Sequence, residues 1–234
     1  MKRRYVYLII KRAMDVAIAA AALLFLLPFS IPIIIALKLT AEGEIFYLQE
    51  RIGYKNRPFK IWKFATMLKD SPNMLTGSLT LRNDPRVTPV GKYLRITKIN
   101  ELPQLINVLI GDMSLVGPRP QMKVDFDVYP EHVKERIYDI VPGVTGIGSI
   151  IFRDEEKMMS ESGMPVKEFY AKHIAPYKGE LELWYQRRMS LFTDLMLIFL
   201  TVWVILFPES SLPFKIFKDL PKPPAMLSEF LPIK

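Results

Sequence analysis

An apolar segment from position 13 to position 37 constrains this chain more than any other feature of its sequence. Asp15 and Ser30 are its only side chains with a charge or a hydroxyl group. About 20 such residues span the hydrocarbon core of a bilayer, so the segment predicts membrane contact. Basic residues precede it, which favours a cytoplasmic N-terminus. A signal peptide is a poor interpretation, because the segment is too long and no small-residue cleavage site follows it.

Two prolines interrupt this apolar segment near its middle, in the order Pro28-Phe29-Ser30-Ile31-Pro32. Proline removes a helical hydrogen bond, and the Ser30 hydroxyl is available to satisfy a freed carbonyl. We therefore expect a re-entrant helix hairpin with its break at Pro28, Ser30 and Pro32, entering and leaving the membrane on one side. A plain transmembrane helix is the alternative, and it would put the basic remainder of the chain outside the cell.

The charge balance is basic, since Lys and Arg exceed Asp and Glu by eight and the pI is about 9.5. Such a surface suits nucleic acid, anionic lipid or a phosphorylated ligand. No signature of a nucleic-acid-binding fold is present, so we expect no nucleic-acid partner. The chain has no cysteine, which excludes disulfides and thiolate chemistry. His132 and His173 have no second ligand at metal-binding spacing, and both are predicted to be structural.

The stretch from residue 95 to residue 121 concentrates the candidate anion-binding features. Apolar residues recur in it at helical spacing, which predicts a short amphipathic helix with Asn100 as its N-cap and a stop at Gly111. Free amides at a helix N-terminus suit an anion, and Lys98 adds positive charge just upstream. Beyond the helix, Arg119 lies between two prolines, so a guanidinium that can grip phosphate bidentately is held on a stiff backbone.

The sequence ELPQLINVLIGDMSLVGPRP at 101–120 resembles the core signature of the bacterial sugar transferases, which are monotopic polyprenyl-phosphate phosphoglycosyl transferases. The resemblance extends over about residues 9–195, most of the chain. The other matching pieces are KRAMD at 11–15, QERIGYKNRPFKIWKF at 49–64, DPRVTPVGKYLR at 84–95, PGVTG at 142–146 and WYQRRMSLFTDL at 184–195.

This resemblance implies an enzyme at the cytoplasmic face of the bacterial inner membrane. Such an enzyme transfers a sugar 1-phosphate from a UDP-sugar to undecaprenyl phosphate and releases UMP, with Mg²⁺ as cofactor. Glu101 is then the expected metal ligand, and Arg86, Lys98 and Arg119 are the expected diphosphate contacts. Lys60 is a further candidate for substrate binding, although a lysine on an edge strand also protects against aggregation. The sugar and any homo-oligomer stay open.

Asn100 stands where the family has the aspartate that is held to be the nucleophile. An amide carries no charge, and its oxygen is a very poor nucleophile. Asn100 and Glu101 remain the candidate catalytic pair, with several alternatives open. Asn100 is an engineered replacement of Asp, or it is natural. If it is natural, the acceptor phosphate attacks directly, Glu101 becomes the nucleophile, or the protein is an inactive relative that binds nucleotide sugar or scaffolds the pathway.

Together these patterns predict an α+β fold that is mostly helical and membrane-associated, with a small β-hairpin formed by 45–48 and 59–64. We expect three parts: a membrane re-entrant helix at 1–38, a cytosolic-face catalytic domain at 39–207 and an extended, proline-rich tail at 208–234. Within the catalytic domain, the expected elements are a charged helix at 121–141, a strand at 147–152, a helix at 165–190 and an interfacial helix at 191–207.

Overall fold

A computed structural model describes residues 2–40, 42–74, 79 and 84–233 of the chain. Most of the described elements are helices, and the strands are short. The helices are α1 (Lys2–Leu39), α2 (Pro89–Ile96), α3 (Gln104–Ile110), α4 (Lys123–Phe126), α5 (Glu131–Lys134), α6 (Ile147–Ile151), α7 (Glu155–Glu161), α8 (Val166–Phe169), α9 (Ala175–Arg188), α10 (Leu191–Leu206), α11 (Leu212–Ile216) and α12 (Ala225–Ser228). The strands are β1 (Phe46–Ile52), β2 (Pro58–Phe64), β3 (Ser114–Val116) and β4 (Gly143–Thr145).

Helix α1 runs without interruption through Pro28 and Pro32. The Ser30 hydroxyl donates to the carbonyl of Leu26 at 2.9 Å, a back-bond that often bends a helix. A break into two helices at Pro28, Ser30 and Pro32 is therefore not present. Among the described residues, the stretch Arg4–Leu39 is long and apolar enough to cross a membrane, judged by length and composition.

The N-terminal half of α1 is anchored to the rest of the chain by polar contacts. Arg12 donates to the carbonyls of Val108 and Leu109 at 2.6 and 2.9 Å, at the C-terminal end of α3. Asp15 is buried and accepts hydrogen bonds from the Ser114 hydroxyl at 2.7 Å and the Leu115 amide at 3.1 Å. Asp15 therefore has a structural role, because it ties this part of α1 to strand β3.

The predicted β-hairpin is confirmed. Strands β1 and β2 pair antiparallel from Phe46 opposite Phe64 to Ile52 opposite Pro58. The Asn107 side chain on α3 accepts from the Trp62 amide at 3.0 Å and donates to the Lys60 carbonyl at 2.8 Å. These two bonds hold the hairpin against α3, which fixes the position of β2 relative to the residues that precede α3.

Strands β3 and β4 form a parallel pair in which two backbones come unusually close. A Cβ on Gly143 would lie 2.1 Å from the Gly117 nitrogen, and a Cβ on Gly146 would lie 2.3 Å from the Gly117 oxygen. Only glycine permits this approach. The contact sets the loop that carries Arg119 beside the start of α6.

Two predicted elements between residues 121 and 152 are wrong. The expected strand at 147–152 is helix α6, in which Ile147, Ile150 and Ile151 are buried at helical spacing. The expected helix at 121–141 is two four-residue helices, α4 and α5, with Pro130 directly before the second. A proline has no amide hydrogen to continue a helix, so the charged stretch is divided there.

The helix predicted at 165–190 is confirmed as α8, a π-helical turn at Tyr170–Ile174 and α9. The segment from 208 onward is not an extended tail. Phe217 is buried and packs edge-on against Trp184 with 5.0 Å between ring centroids. Asp219 accepts from the indole of Trp184 at 3.1 Å and pairs with Arg188 at 2.5 Å. These contacts attach the C-terminal segment to α9.

Both α1 and α10 expose large apolar side chains. Phe25 on α1 and Phe192 and Leu206 on α10 are each about two-thirds exposed, whereas Leu197 and Leu200 on α10 are fully buried. A helix with one buried apolar face and one exposed apolar face has lipid as its natural partner on the exposed side. The protein is therefore built for membrane association.

Candidate active site

Glu101 ends a short 3₁₀ helix, Ile99–Glu101, that lies between α2 and α3. Lys98 precedes this helix in the left-handed region with φ of 60°, which turns the chain sharply after α2. Asn100 is buried inside the 3₁₀ helix, and α3 begins only at Gln104, without a side-chain cap. The predicted N-cap role of Asn100 is therefore wrong, because the turn at Lys98 replaces an ordinary helix start.

Arg119 and Glu101 form a bidentate ion pair. Arg119 Nη2 lies 2.5 Å from Glu101 Oε1, and Nη1 lies 3.2 Å from Oε2. Lys63, on strand β2, places its Nζ 3.6 Å from Glu101 Oε1. All three side chains are largely buried, so a single carboxylate meets a guanidinium and an amine in a weakly screened environment.

The charges in this cluster shift one another's ionisation. Burial alone would raise the pKa of Glu101, but Arg119, Lys63 and Lys98 outweigh that effect and hold it far below its usual range. Burial lowers the pKa of Lys63 to about 7, although the Glu101 charge opposes the change. Burial also lowers the pKa of Lys98. Positive charge exceeds negative charge around Glu101, and a bound anion would relieve the imbalance.

A cavity of about 1460 Å³ contains this cluster. Lys63, Lys98, Asn100, Glu101 and Arg119 all line it. The same cavity reaches Thr201, Val204 and Ile205 on α10, the helix whose outer face is apolar and exposed. One space therefore joins a cationic cluster to a lipid-facing helix, which suits a ligand with a phosphate at one end and a hydrocarbon chain at the other.

Comparison with known proteins decides the family. The model of the bacterial sugar transferase family matches residues 6–208. The chain belongs to this family. It is 35% identical over 198 residues to the UDP-glucose:undecaprenyl-phosphate glucose-1-phosphate transferase of Escherichia coli K12, which covers 83% of this chain and 40% of that relative.

Two other relatives differ in length, and only the first of their names gives a sugar. A UDP-N-acetylgalactosamine-undecaprenyl-phosphate N-acetylgalactosaminephosphotransferase of Aeromonas hydrophila is 32% identical over 205 residues, 86% of this chain and 44% of the relative. The exopolysaccharide production protein ExoY of Rhizobium meliloti is 32% identical over 219 residues, 86% of this chain and 87% of the relative. The chain thus spans less than half the length of the relatives from Escherichia coli and Aeromonas hydrophila and most of the length of ExoY.

Arg86 does not reach the cluster around Glu101, contrary to the sequence prediction. It is almost fully buried and pairs with Asp84, with Nη2 at 2.6 Å and Nε at 2.9 Å from the carboxylate oxygens. Nη1 donates to the carbonyls of Ser71 and Met74, and Nη2 donates to that of Leu79. Its donors are engaged inside the protein, so Arg86 organises a loop instead of binding phosphate.

Lys60 also differs from its predicted place at the site, because its side chain is exposed on β2 and does not line the cavity. Lys63 takes the place that the sequence analysis assigned to Lys60. The alternation of side chains along a strand could have indicated this, because residues two positions apart share a face. Ile61 is buried, and Lys63 is the next residue on the same face. Lys98 and Arg119 do line the cavity beside Glu101, as the predicted site requires.

The donors near Glu101 fit Mg²⁺ only in combination with a phosphorylated ligand. Within the described part of the chain, no three His, Cys, Asp or Glu side chains come together as a metal site. Glu101 supplies a carboxylate, and the buried Oδ1 of Asn100 accepts no hydrogen bond from the described residues. Mg²⁺ is commonly held by one or two carboxylates together with substrate phosphates, so this limited donor set is compatible with that ion.

Proposed function

We propose that this protein moves a sugar 1-phosphate from a UDP-sugar to undecaprenyl phosphate and releases UMP. The observation that carries the proposal is the excess of positive charge around Glu101, in a cavity that continues to the lipid-facing helix α10. A diphosphate fits the cationic end, and a polyprenyl chain fits the apolar end. The names of the relatives from Escherichia coli and Aeromonas hydrophila support the same pair of substrates.

Phosphoryl transfer depends mainly on alignment and on charge neutralisation. Arg119 is suited to grip the diphosphate oxygens bidentately, and Lys63 and Lys98 add point charges beside it. Glu101, with the Oδ1 of Asn100 nearby in sequence, would hold Mg²⁺ together with the substrate's phosphates. When bound, that ion neutralises negative charge that develops on the phosphates.

Asn100 decides the order of bond changes in this proposal. Its side chain cannot form the covalent phosphosugar that an aspartate forms, and in this proposal the Glu101 carboxylate serves Arg119 and the metal ion instead of attacking phosphorus. The acceptor's phosphate oxygen therefore attacks the sugar-bearing phosphorus directly. The bond from that phosphorus to the bridging oxygen breaks, and UMP leaves with that oxygen.

UMP release by the purified protein tests this order. We expect the parent chain to release UMP only when UDP-sugar, undecaprenyl phosphate and Mg²⁺ are all present. Asn100→Asp is expected to release about one equivalent of UMP without acceptor, because the new carboxylate can take up the phosphosugar. Intact-protein mass spectrometry would detect that adduct on the variant and not on the parent.

A different result would identify a binding protein. If the parent binds a UDP-sugar but releases no UMP with any member of a UDP-sugar panel, whereas Asn100→Asp turns over, the parent is a non-catalytic relative and the proposed function is wrong for it.

We further propose that α1 follows a re-entrant path by bending at Pro28 and Pro32 without dividing into two helices, with the folded domain on the cytoplasmic face of the bacterial inner membrane. A straight span would separate Asp15 from Leu37 by roughly 33 Å at about 1.5 Å per residue. Both ends nevertheless contact the same domain, Asp15 at Ser114 and Leu37 in a cluster with Phe64. Those contacts support a path that enters and returns on one side.

Single-cysteine labelling tests the path of α1, since the chain has no cysteine of its own. Tyr5→Cys and Lys167→Cys introduce thiols at exposed positions before and after the apolar segment. A membrane-impermeant maleimide is expected to modify both in inside-out vesicles and neither in intact spheroplasts. Phe25→Cys, in the exposed apolar part of α1, is the control expected to resist the reagent in both. Labelling of Tyr5→Cys and Lys167→Cys from opposite sides would establish a transmembrane helix.

A further inference from the structure

The main chain around Arg119 is held at every polar group by partners from distant segments. The Pro118 carbonyl accepts from the Gly143 amide at 2.9 Å, and the Pro120 carbonyl accepts from Arg51 Nη1 at 3.3 Å. Prolines on both sides of Arg119 also restrict its backbone. The hydrogen bonds that hold this short loop therefore determine where the Arg119 guanidinium lies.

Two buried side chains grip Arg119 itself, one on each side of the residue. Glu182 on α9 accepts the Arg119 amide hydrogen at Oε1, with 3.4 Å between the heavy atoms. The Tyr138 hydroxyl donates to the Arg119 carbonyl at 2.9 Å and accepts from the Gln121 amide, also at 2.9 Å. Glu182 and Tyr138 are each about 99% buried and come from different parts of the chain.

Gly148 completes the arrangement around Glu182. The Glu182 carboxylate lies directly against this glycine, since a Cβ at this position would be 2.4 Å from Glu182 Oε1. The carboxylate thus joins the Arg119 loop to the first turn of α6. Only a residue without a side chain allows that close approach, so the contact is specific in its geometry.

We propose that Glu182 and Tyr138 are positioning residues that clamp the Arg119 main chain from both sides and so set the guanidinium against Glu101. What Arg119 binds rests on the proposed function; how Arg119 is held does not. Without the clamp, Arg119 would still be present, but it would no longer be pre-organised for a diphosphate, and binding would have to order it first.

The buried Glu182 carboxylate lowers the stability of the folded protein when it is ionised. Burial raises its pKa to about 7, against the opposing effects of the Arg119 amide and the Lys178 charge. Because the folded-state pKa lies above the ordinary value of 4.5, ionisation opposes folding, and stability falls as the pH rises between these values.

Glu182→Gln is therefore expected to melt at a higher temperature than the parent at pH 8, with the difference shrinking towards pH 5. The titratable side chains that interact with Glu182 are Arg119, Lys178, Tyr129 and Tyr138.

Two buried tyrosines provide a matched test. The Tyr138 hydroxyl has two partners, whereas the buried Tyr129 hydroxyl has none among the described residues. Tyr138→Phe is expected to weaken UDP binding, measured by isothermal titration calorimetry, by roughly tenfold. It leaves the Arg119 carbonyl with the longer bond from Gln121 Nε2, at 3.3 Å, and removes the acceptor of the Gln121 amide. Tyr129→Phe is expected to bind UDP like the parent.

Variants of Glu182 separate geometry from charge. Glu182→Gln keeps an acceptor oxygen at the same reach, so its UDP affinity is expected to stay within about twofold of the parent. Glu182→Asp withdraws the acceptor by one methylene group, and Gly148→Ala pushes it aside, so both are expected to lose affinity like Tyr138→Phe. A merely structural role would change melting temperatures without this pattern of affinities.

A second measurement does not depend on any substrate. The ¹⁵N-arginine side-chain NMR signal of Arg119, assigned with Arg119→Lys, reports the ion pair with Glu101. We expect this signal to shift or broaden in Tyr138→Phe and Glu182→Asp and to stay in place in Tyr129→Phe. An unchanged signal in both clamp variants would overturn the clamp. Failure of the parent to bind UDP would instead contradict the proposed function, and the NMR result would still decide the clamp.

Discussion

Replacing Arg119 with alanine is expected to lower the rate of UMP release by about 100- to 1000-fold, the usual effect of removing one charge-stabilising donor from an active site. Arg119 is the side chain that pairs bidentately with Glu101 and lines the cavity. Without it, the diphosphate loses its two-pronged contact, and Glu101 loses its nearest compensating charge. A UMP-release assay with saturating undecaprenyl phosphate measures the effect.

Two variants control for this result. Arg119→Lys restores a charge but not a bidentate contact, so its rate should lie between those of the parent and the alanine variant. Arg187→Ala removes an arginine that is exposed on α9, and its rate should match the parent. Parental turnover by Arg119→Ala would remove the diphosphate-binding role from Arg119.

Arg86→Met is expected to lower the free energy of unfolding by roughly 3–5 kcal/mol, the range found when one partner of a buried ion pair is removed. The change leaves the Asp84 carboxylate buried without the guanidinium. It also removes the donor from the carbonyls of Ser71, Met74 and Leu79. Denaturant titration of the detergent-solubilised protein measures the loss.

Arg57→Met is the matched control, because Arg57 is exposed on the hairpin turn and a surface substitution usually changes stability by less than about 0.5 kcal/mol. The experiment also separates the two roles considered for Arg86. If Arg86→Met unfolds like the parent but has a raised KM for the UDP-sugar, Arg86 contacts substrate as the sequence motif suggested, and the structural role is wrong.

Local patterns made several elements of the fold predictable. The apolar segment of α1, the alternation of β1 and β2 and the helical spacing within α3 each depend on neighbours in the chain. The predictions between 121 and 152 failed because a short apolar run has the same pattern in a strand and in a buried helix. The C-terminal segment was misjudged for a related reason, since its docking depends on Trp184 and other residues of α9 far away in sequence.

Some residues of the candidate site could be predicted from local sequence, and others could not. Glu101 and Arg119 are 18 positions apart, and one stretch of sequence was enough to single out both. The sequence analysis missed three polar residues at or beside the site: the largely buried Lys63 and the fully buried Tyr138 and Glu182. A lone charged or hydroxyl side chain in a sequence gives no indication of whether it will be buried or which group it will meet.

The sequence by itself predicted membrane contact and a candidate anion-binding centre at Glu101 and Arg119, and it placed an amide, Asn100, directly before Glu101. Those properties depend on composition, periodicity and residue identity, which folding does not alter. Only the tertiary structure decided that Arg86 is engaged inside the protein, that Lys63 rather than Lys60 joins the cluster, and that Glu182 meets the amide of Arg119 63 positions away. Burial and pairing of polar groups are long-range outcomes of packing, and the free energy of desolvation selects each partner only once the elements have come together.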